Sequence, residues 1–157
     1  NAVMKIAILY GTETGNAEML AEDIAAHLAD HEVEVTNLSD FAPDAFDADN
    51  FYILVTSTYG DGDLPASAIP FGERMADAQP DLSSITFAVF GMGDSEYPET
   101  YNFGGKRLEE LMTSAGAQQV GERITHDASG SDMPEDLALP WAEDVVRQME
   151  ARREEAA

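Results

Sequence analysis

The sequence predicts one α/β domain, a parallel sheet covered by helices on both faces. Two observations predict it. Short apolar runs rich in β-branched residues alternate with stretches that carry apolar residues at helical spacing. The runs are apolar at successive positions, as strands buried on both faces of a parallel sheet must be. The 157 residues hold no linker, repeat or low-complexity tract, so a single core is expected to serve residues 3–151.

The elements follow in order. Met4–Tyr10 is a buried strand that ends at Gly11. Thr14–Asp30 reads as a helix, with Met19, Leu20, Ile24 and Leu28 on one side and small Ala17, Ala21 and Ala25 beside them. Val33–Leu38 is a second strand, followed by a loop or short helix. Phe51–Ser57 is a third strand, and Ala66–Ala78, entered through Pro65, a second helix. Ser84–Gly91 is a fourth strand, and Phe103–Ala115 a helix with Leu108, Leu111 and Met112 on one side. Gln119–Ile124 forms a weaker fifth strand. Leu137–Glu150 closes the domain as a helix that turns Trp141, Val145 and Met149 inward. Asn1 and Ala2 read as the remnant of a tag, and residues 152–157 are expected to fray.

Composition removes several kinds of function. There is no cysteine, which excludes disulfides, thiolate metal sites and thiol catalysis. No apolar run approaches the ~20 residues that cross a bilayer, and no signal-peptide pattern opens the chain, so a cytoplasmic protein is expected. The chain has 31 Asp and Glu against 8 Lys and Arg, a formal net charge of −23. Residues 6–73 hold 14 carboxylates and neither Lys nor Arg. Nucleic acid and anionic membrane need a basic patch and are poor partners. The acidity suits docking onto a basic protein surface, and equally general solubility or adaptation to salt.

In a sheet of this kind, ligands bind beyond the carboxyl ends of the strands where strand order reverses. Three loops there are rich in glycine and polar residues. Gly11-Thr12-Glu13-Thr14-Gly15-Asn16 precedes a helix, whose free N–H groups and partial positive charge suit a phosphate. It lacks the Gly-Lys-Ser/Thr of a nucleoside-triphosphate loop and the G-x-G-x-x-G of a dinucleotide site, and by itself fits an ordinary helix cap. Ser57-Thr58-Tyr59-Gly60-Asp61-Gly62-Asp63-Leu64-Pro65 sets a tyrosine before two spaced glycines, either to cover a planar ligand or as a plain turn. Gly91-Met92-Gly93-Asp94-Ser95-Glu96-Tyr97-Pro98-Glu99-Thr100-Tyr101-Asn102 again opens with spaced glycines and then offers Tyr97 and Tyr101. His27 and His31, four apart at a helix end, suit either a metal or favourable placement by the helix dipole. No catalytic set for substrate turnover and no metal site is identified.

Together G-T-E-T-G-N-A-E, S-T-Y-G-D-G-D-L-P and G-M-G-D-S-E-Y resemble the FMN loops of the flavodoxin family. The resemblance runs from Met4 to about Met149 and is nearest to MioC-type short flavodoxins and to the flavodoxin-like domains of diflavin reductases. It implies a three-layer sandwich on a five-stranded parallel sheet of order 2-1-3-4-5, for which flavodoxin is a standard example. It implies FMN as cofactor, with its phosphate at Thr12, Glu13, Thr14, Gly15 and Asn16. The ring would lie by Thr58, Tyr59, Gly60 and Gly62 on one side and by Gly91, Gly93, Asp94 and Tyr97 on the other. Tyr59 and Tyr97 would stack on the isoalloxazine, and the Gly60 peptide would meet N5 of the reduced flavin. Tyr101 and Asn102 lie near the ribityl-contacting position, in a stretch one residue longer than in the diflavin relatives. Asp127 matches an acidic position near the cofactor. No insertion of ~20 residues interrupts the fifth strand near Arg123–His126, as in short-chain members.

The function expected from the resemblance is single-electron transfer by a monomer between a flavodoxin reductase and an acceptor enzyme, both presenting basic surfaces. An FMN-dependent NAD(P)H quinone or nitro reductase on the same fold is the alternative. A phosphorylated receiver domain would need an Asp ending the third strand and an acidic pair after the first. Val55-Thr56-Ser57 and Tyr10-Gly11 stand there instead.

Overall fold

Strands β1 (Lys5–Gly11), β3 (Asn50–Ser57) and β4 (Thr86–Gly93) form the middle of a parallel sheet and are buried along nearly their whole length. The computed structural model describes residues 3–58, 64–93 and 103–156. Strand β2 (Glu32–Asn37) pairs with the outer side of β1. Strands β5 (Gln118–Gln119) and β6 (Ile124–Asp127) both pair with β4, one after the other. The order is β2-β1-β3-β4-β5, with β6 continuing the β5 position, so the expected 2-1-3-4-5 arrangement is what the chain adopts.

Alternation within each strand sends its apolar side chains to opposite faces. Ile6, Ile8, Phe51, Ile53, Val55 and Phe90 meet helices α1 (Asn16–His27) and α4 (Pro134–Ala156). Leu9, Tyr52, Leu54, Phe87 and Val89 meet helices α2 (Ile69–Ala78) and α3 (Phe103–Ser114) on the other face. The layers are therefore helix, sheet, helix. Each large apolar side chain so buried contributes about 1.5–3 kcal/mol, against about 0–1 kcal/mol for an exposed ion pair. The two cores, not the charged surface, hold the fold.

Several boundaries differ from those expected, each for a local reason. Helix α1 starts at Asn16 because Gly15 takes φ +98°, and it ends when the Leu28 amide closes on the Ile24 carbonyl at 3.0 Å. Met19, expected on its apolar side, is 65% exposed; Ala17, Leu20, Ala21, Ile24 and Leu28 face the core. Helix α2 starts at Ile69 rather than Ala66: residues 66–68 form a turn closed by the Ala68 amide on the Pro65 carbonyl at 2.9 Å, and the first helical bond runs from the Gly72 amide to the Ala68 carbonyl at 3.1 Å. The expected single fifth strand, Gln119–Ile124, is two. The Val120 amide still bonds to the Phe87 carbonyl at 2.7 Å, but Gly121 at φ +71° turns the chain off the sheet until Ile124. Only four residues separate the two pieces, so no long insertion sits there.

The last helix extends beyond its expected end. Helix α4 runs past Glu150 to Ala156, accommodating Pro140 within it. Arg152 donates to the Gln119 carbonyl at 3.2 Å and Arg153 to the Asp49 carbonyl at 3.1 Å, which tie the last turns to the body. The stretch between β2 and β3 holds two single 3-10 turns, Leu38–Asp40 and Pro43–Ala45. Among the described residues, no helix is long and apolar enough to cross a membrane.

Candidate functional site

The chain leaves β1 outward to β2 and returns to β3 on the other side of β1, so strand order reverses between β1 and β3. The first two loops leave the carboxyl ends of these two strands, and the third leaves neighbouring β4. Of the predicted site residues, Thr12, Glu13, Thr14, Gly15, Asn16, Thr58, Gly91, Gly93 and Asp127 are described. Tyr59, Gly60, Gly62, Asp94, Tyr97, Tyr101 and Asn102 lie outside the described residues.

The first loop leads into α1 with its helix start open. Gly15 is in the left-handed region, and a Cβ there would meet open space. The Thr12 hydroxyl accepts the Gly15 amide at 2.8 Å and so shapes the turn. The first bond into the helix runs from the Met19 amide to the Gly15 carbonyl, and among the described residues no side chain caps the N-terminus. An uncapped helix start leaves its first N–H groups for a ligand, and its dipole favours a negative one. Thr14 and Asn16 are exposed beside it. Glu13 differs: its carboxylate Oε1 accepts the Ala66 amide at 2.8 Å and is engaged with the chain.

Ser57, at the carboxyl end of β3, carries the clearest sign of a missing partner. Its hydroxyl oxygen is buried and makes no hydrogen bond among the described residues. It stands one step past the Gly11–Thr56 pairing, at the level where Thr12 begins the first loop. A buried hydroxyl left unpaired costs about 1–3 kcal/mol, a cost that a ligand oxygen would remove. The donors gathered here are hydroxyls and amides, and residues 11–16 and 57–58 include no Lys or Arg. Such a set fits a phosphate monoester held by neutral groups.

Thr58 anchors the start of the second loop twice. Its amide donates to the Met92 carbonyl at 3.1 Å, and its hydroxyl accepts the Gly104 amide at 2.9 Å. Gly91 and Gly93, expected to open the third loop, lie within β4: Gly91 pairs with Thr56 and Thr125, and Gly93 with Asp127. Beta pairing on both sides extends the strand past its expected end. Asp127 is thus brought to the rim opposite Gly93, where its Oδ1 accepts the Ser129 amide at 2.9 Å and hydroxyl at 2.7 Å.

Electrostatics at the site follow from β1 and α1. The Tyr10 hydroxyl donates to Glu18 Oε2 at 2.9 Å. Burial, then this bond and the Glu18 charge, push the phenol above its ordinary range.

The histidines lie elsewhere. His27 Nε2 is 2.8 Å from Glu143 Oε1, joining α1 to α4, and half-buried His31 accepts the Met4 amide at its Nδ1 at 3.0 Å. Both line a groove of about 370 Å³ at the amino ends of the strands, away from the switch point. Among the described residues, no three His, Cys, Asp or Glu side chains are grouped to hold a metal. His126 is buried, with Nε2 2.6 Å from the Asp132 carbonyl oxygen.

Sequence reasoning missed three residues. Ser57 was legible as the last residue of an apolar run, though nothing in the sequence marks its hydroxyl as unpaired. Ser67 and Gly104 act across 55 and 46 residues of chain and leave no local signal.

A doubly wound α/β domain with an uncapped helix start at its switch point is the class these features define. The Flavodoxin family model matches residues 8–141. Protein MioC of Escherichia coli (strain K12) is 32% identical over 136 residues, spanning 87% of this chain and 92% of that one. The sulfite reductase [NADPH] flavoprotein alpha-component of Bacillus subtilis (strain 168) is 32% identical over 146 residues, 91% of this chain but 23% of the longer protein. The solved structure of a cysteine-to-serine mutant of flavodoxin from Pseudomonas aeruginosa superposes with a TM-score of 0.81 at 32% identity, covering 94% of this chain and 99% of that one. The chain belongs to the flavodoxin family. Membership brings FMN as cofactor and electron transfer as the work done.

Proposed function

We propose that this protein is a monomeric cytoplasmic electron carrier. It passes single electrons from a flavodoxin reductase to an acceptor enzyme and is not an enzyme in its own right. The observation that carries the binding site is the orphaned Ser57 hydroxyl beside the uncapped start of α1. Thr12, Thr14, Gly15 and Asn16 take the phosphate with Ser57. Thr58, Tyr59, Gly60 and Gly62 form one wall for the ring, and Gly91, Gly93, Asp94 and Tyr97 the other, with Tyr101, Asn102 and Asp127 at the rim.

FMN, when bound, supplies the one-electron chemistry; the chain supplies binding, orientation and charge. Asp61, Asp63, Asp94, Glu96 and Glu99 occur within or beside the ring-binding loops. Negative charge there disfavours an anionic reduced ring, which makes it a stronger donor. The net charge of −23 steers docking onto basic surfaces, an attraction that salt screens beyond ~8–10 Å.

Titration with FMN, followed by stepwise chemical reduction, tests this. Saturation at one FMN per chain and two resolved one-electron steps are expected, with no NAD(P)H consumed by the protein alone. Steady NAD(P)H oxidation without a reductase would assign the protein to the quinone or nitro reductases instead.

A further inference from the structure

Residues 11–13, which open the phosphate loop, lie in a seam with residues 66–68, which follow the second loop. Three long-range hydrogen bonds cross it. The Thr12 amide donates to the Ser67 hydroxyl at 2.8 Å, and the Ser67 amide returns to the Thr12 carbonyl at 3.2 Å. The Ala66 amide donates to Glu13 Oε1 at 2.8 Å. Beneath them, a Cβ on Gly11 would come within 2.8 Å of the Ala68 Cβ, so β1 and this segment are in close contact.

Glu13 is the puzzling member. A carboxylate in a loop that must accept a phosphate opposes the anion by like charge. Placed as it is, its oxygen serves the chain by holding Ala66. Ser67 is matched to the same task, because it satisfies both backbone groups of Thr12.

We propose that Glu13 and Ser67 are positioning residues that latch the phosphate loop to the segment leaving the second loop, so that phosphate and flavin ring are held by one unit. This rests on the FMN reading above. The two ligand parts then bind cooperatively, each tightening the other. Coupling of this kind is reciprocal and is measured as a ratio of affinities.

The test uses riboflavin, which has the ring but no phosphate, and inorganic phosphate. Riboflavin affinity of the wild-type chain is measured by fluorescence quenching with and without saturating phosphate, and then for Glu13→Ala, Ser67→Ala, Glu13→Gln and Ser67→Thr. Circular dichroism checks that each variant is folded. Phosphate is expected to tighten riboflavin at least threefold in the wild type and to have no effect in the two alanine variants. Glu13→Gln and Ser67→Thr keep an acceptor oxygen and should restore the coupling. A merely structural latch would weaken both ligands and leave the ratio intact, which overturns the proposal. So would a wild-type ratio of one, or failure of both conservative variants to restore it. A wild type that binds neither FMN nor riboflavin sinks the FMN reading itself, and the latch with it.

Discussion

The Gly104 amide donates to the Thr58 hydroxyl at 2.9 Å, and a Cβ on Gly104 would overlap the Ser57 carbonyl oxygen. The first turn of α3 is thereby pressed against the end of β3, at the root of the second loop. Alanine for glycine inside a helix ordinarily gains up to about 1 kcal/mol. Here the added methyl meets backbone, which no rotamer change relieves, and overpacking costs about 1–3 kcal/mol. Gly104→Ala is therefore expected to destabilise the protein, read as a lower urea midpoint, and to weaken FMN binding as β3 and α3 part.

Ser57→Ala should separate binding from stability. Its hydroxyl oxygen is buried and has no partner among the described residues, so its removal should cost the unliganded chain nothing and relieve about 1 kcal/mol of unmet hydrogen bonding. FMN affinity should fall about tenfold, the equivalent of one good hydrogen bond. Parallel urea unfolding and FMN titration check this. An unchanged FMN affinity would remove Ser57 from the site.

Tyr10 gives the protein an alkaline limit. Its folded-state pKa is raised above the ordinary value of 10.0, first by burial and then by Glu18. The stabilisation from the neutral phenol is thus complete below pH 10. It is lost as pH rises through 10 to the higher folded value, where the unfolded chain ionises first. Tyr10→Phe should cost about 1 kcal/mol near neutrality through the lost bond to Glu18. It should also flatten the fall in stability above pH 10, measured by urea unfolding across pH 8–11.

Salt should stabilise this chain. With 31 carboxylates and 8 Lys and Arg, self-repulsion works against the compact state, and about 0.15 M salt screens it beyond ~8 Å. The melting temperature is expected to rise between 0.01 and 0.5 M sodium chloride, while association with a basic redox partner slows. A melting temperature that falls over that range would show that ion pairs outweigh the repulsion.

The strands were legible in the sequence because burial on both faces demands unbroken apolar runs, as in Phe51–Ser57. Their loops were legible because spaced glycines and polar residues punctuate those runs. Helix limits were less so: α2 begins at Ile69 because residues 66–68 make a turn, tethered to Glu13 and Thr12 more than 50 residues away. The split of the fifth strand turns on one left-handed glycine, Gly121, and the persistence of α4 on two arginines that reach distant carbonyls.

The sequence by itself determined the fold class, the order of elements and which three loops would leave one edge of the sheet, since periodicity and turn chemistry are local properties. Tertiary structure decided what individual polar groups do there. Glu13 sits in the first loop yet holds Ala66, Gly93 opens a predicted loop yet pairs in β4, and the hydroxyl of Ser57 has no partner among the described residues. The reason is physical. Whether a donor or acceptor is free depends on what the rest of the chain packs against it, and hydrogen bonds between residues far apart in the chain leave no trace in local spacing.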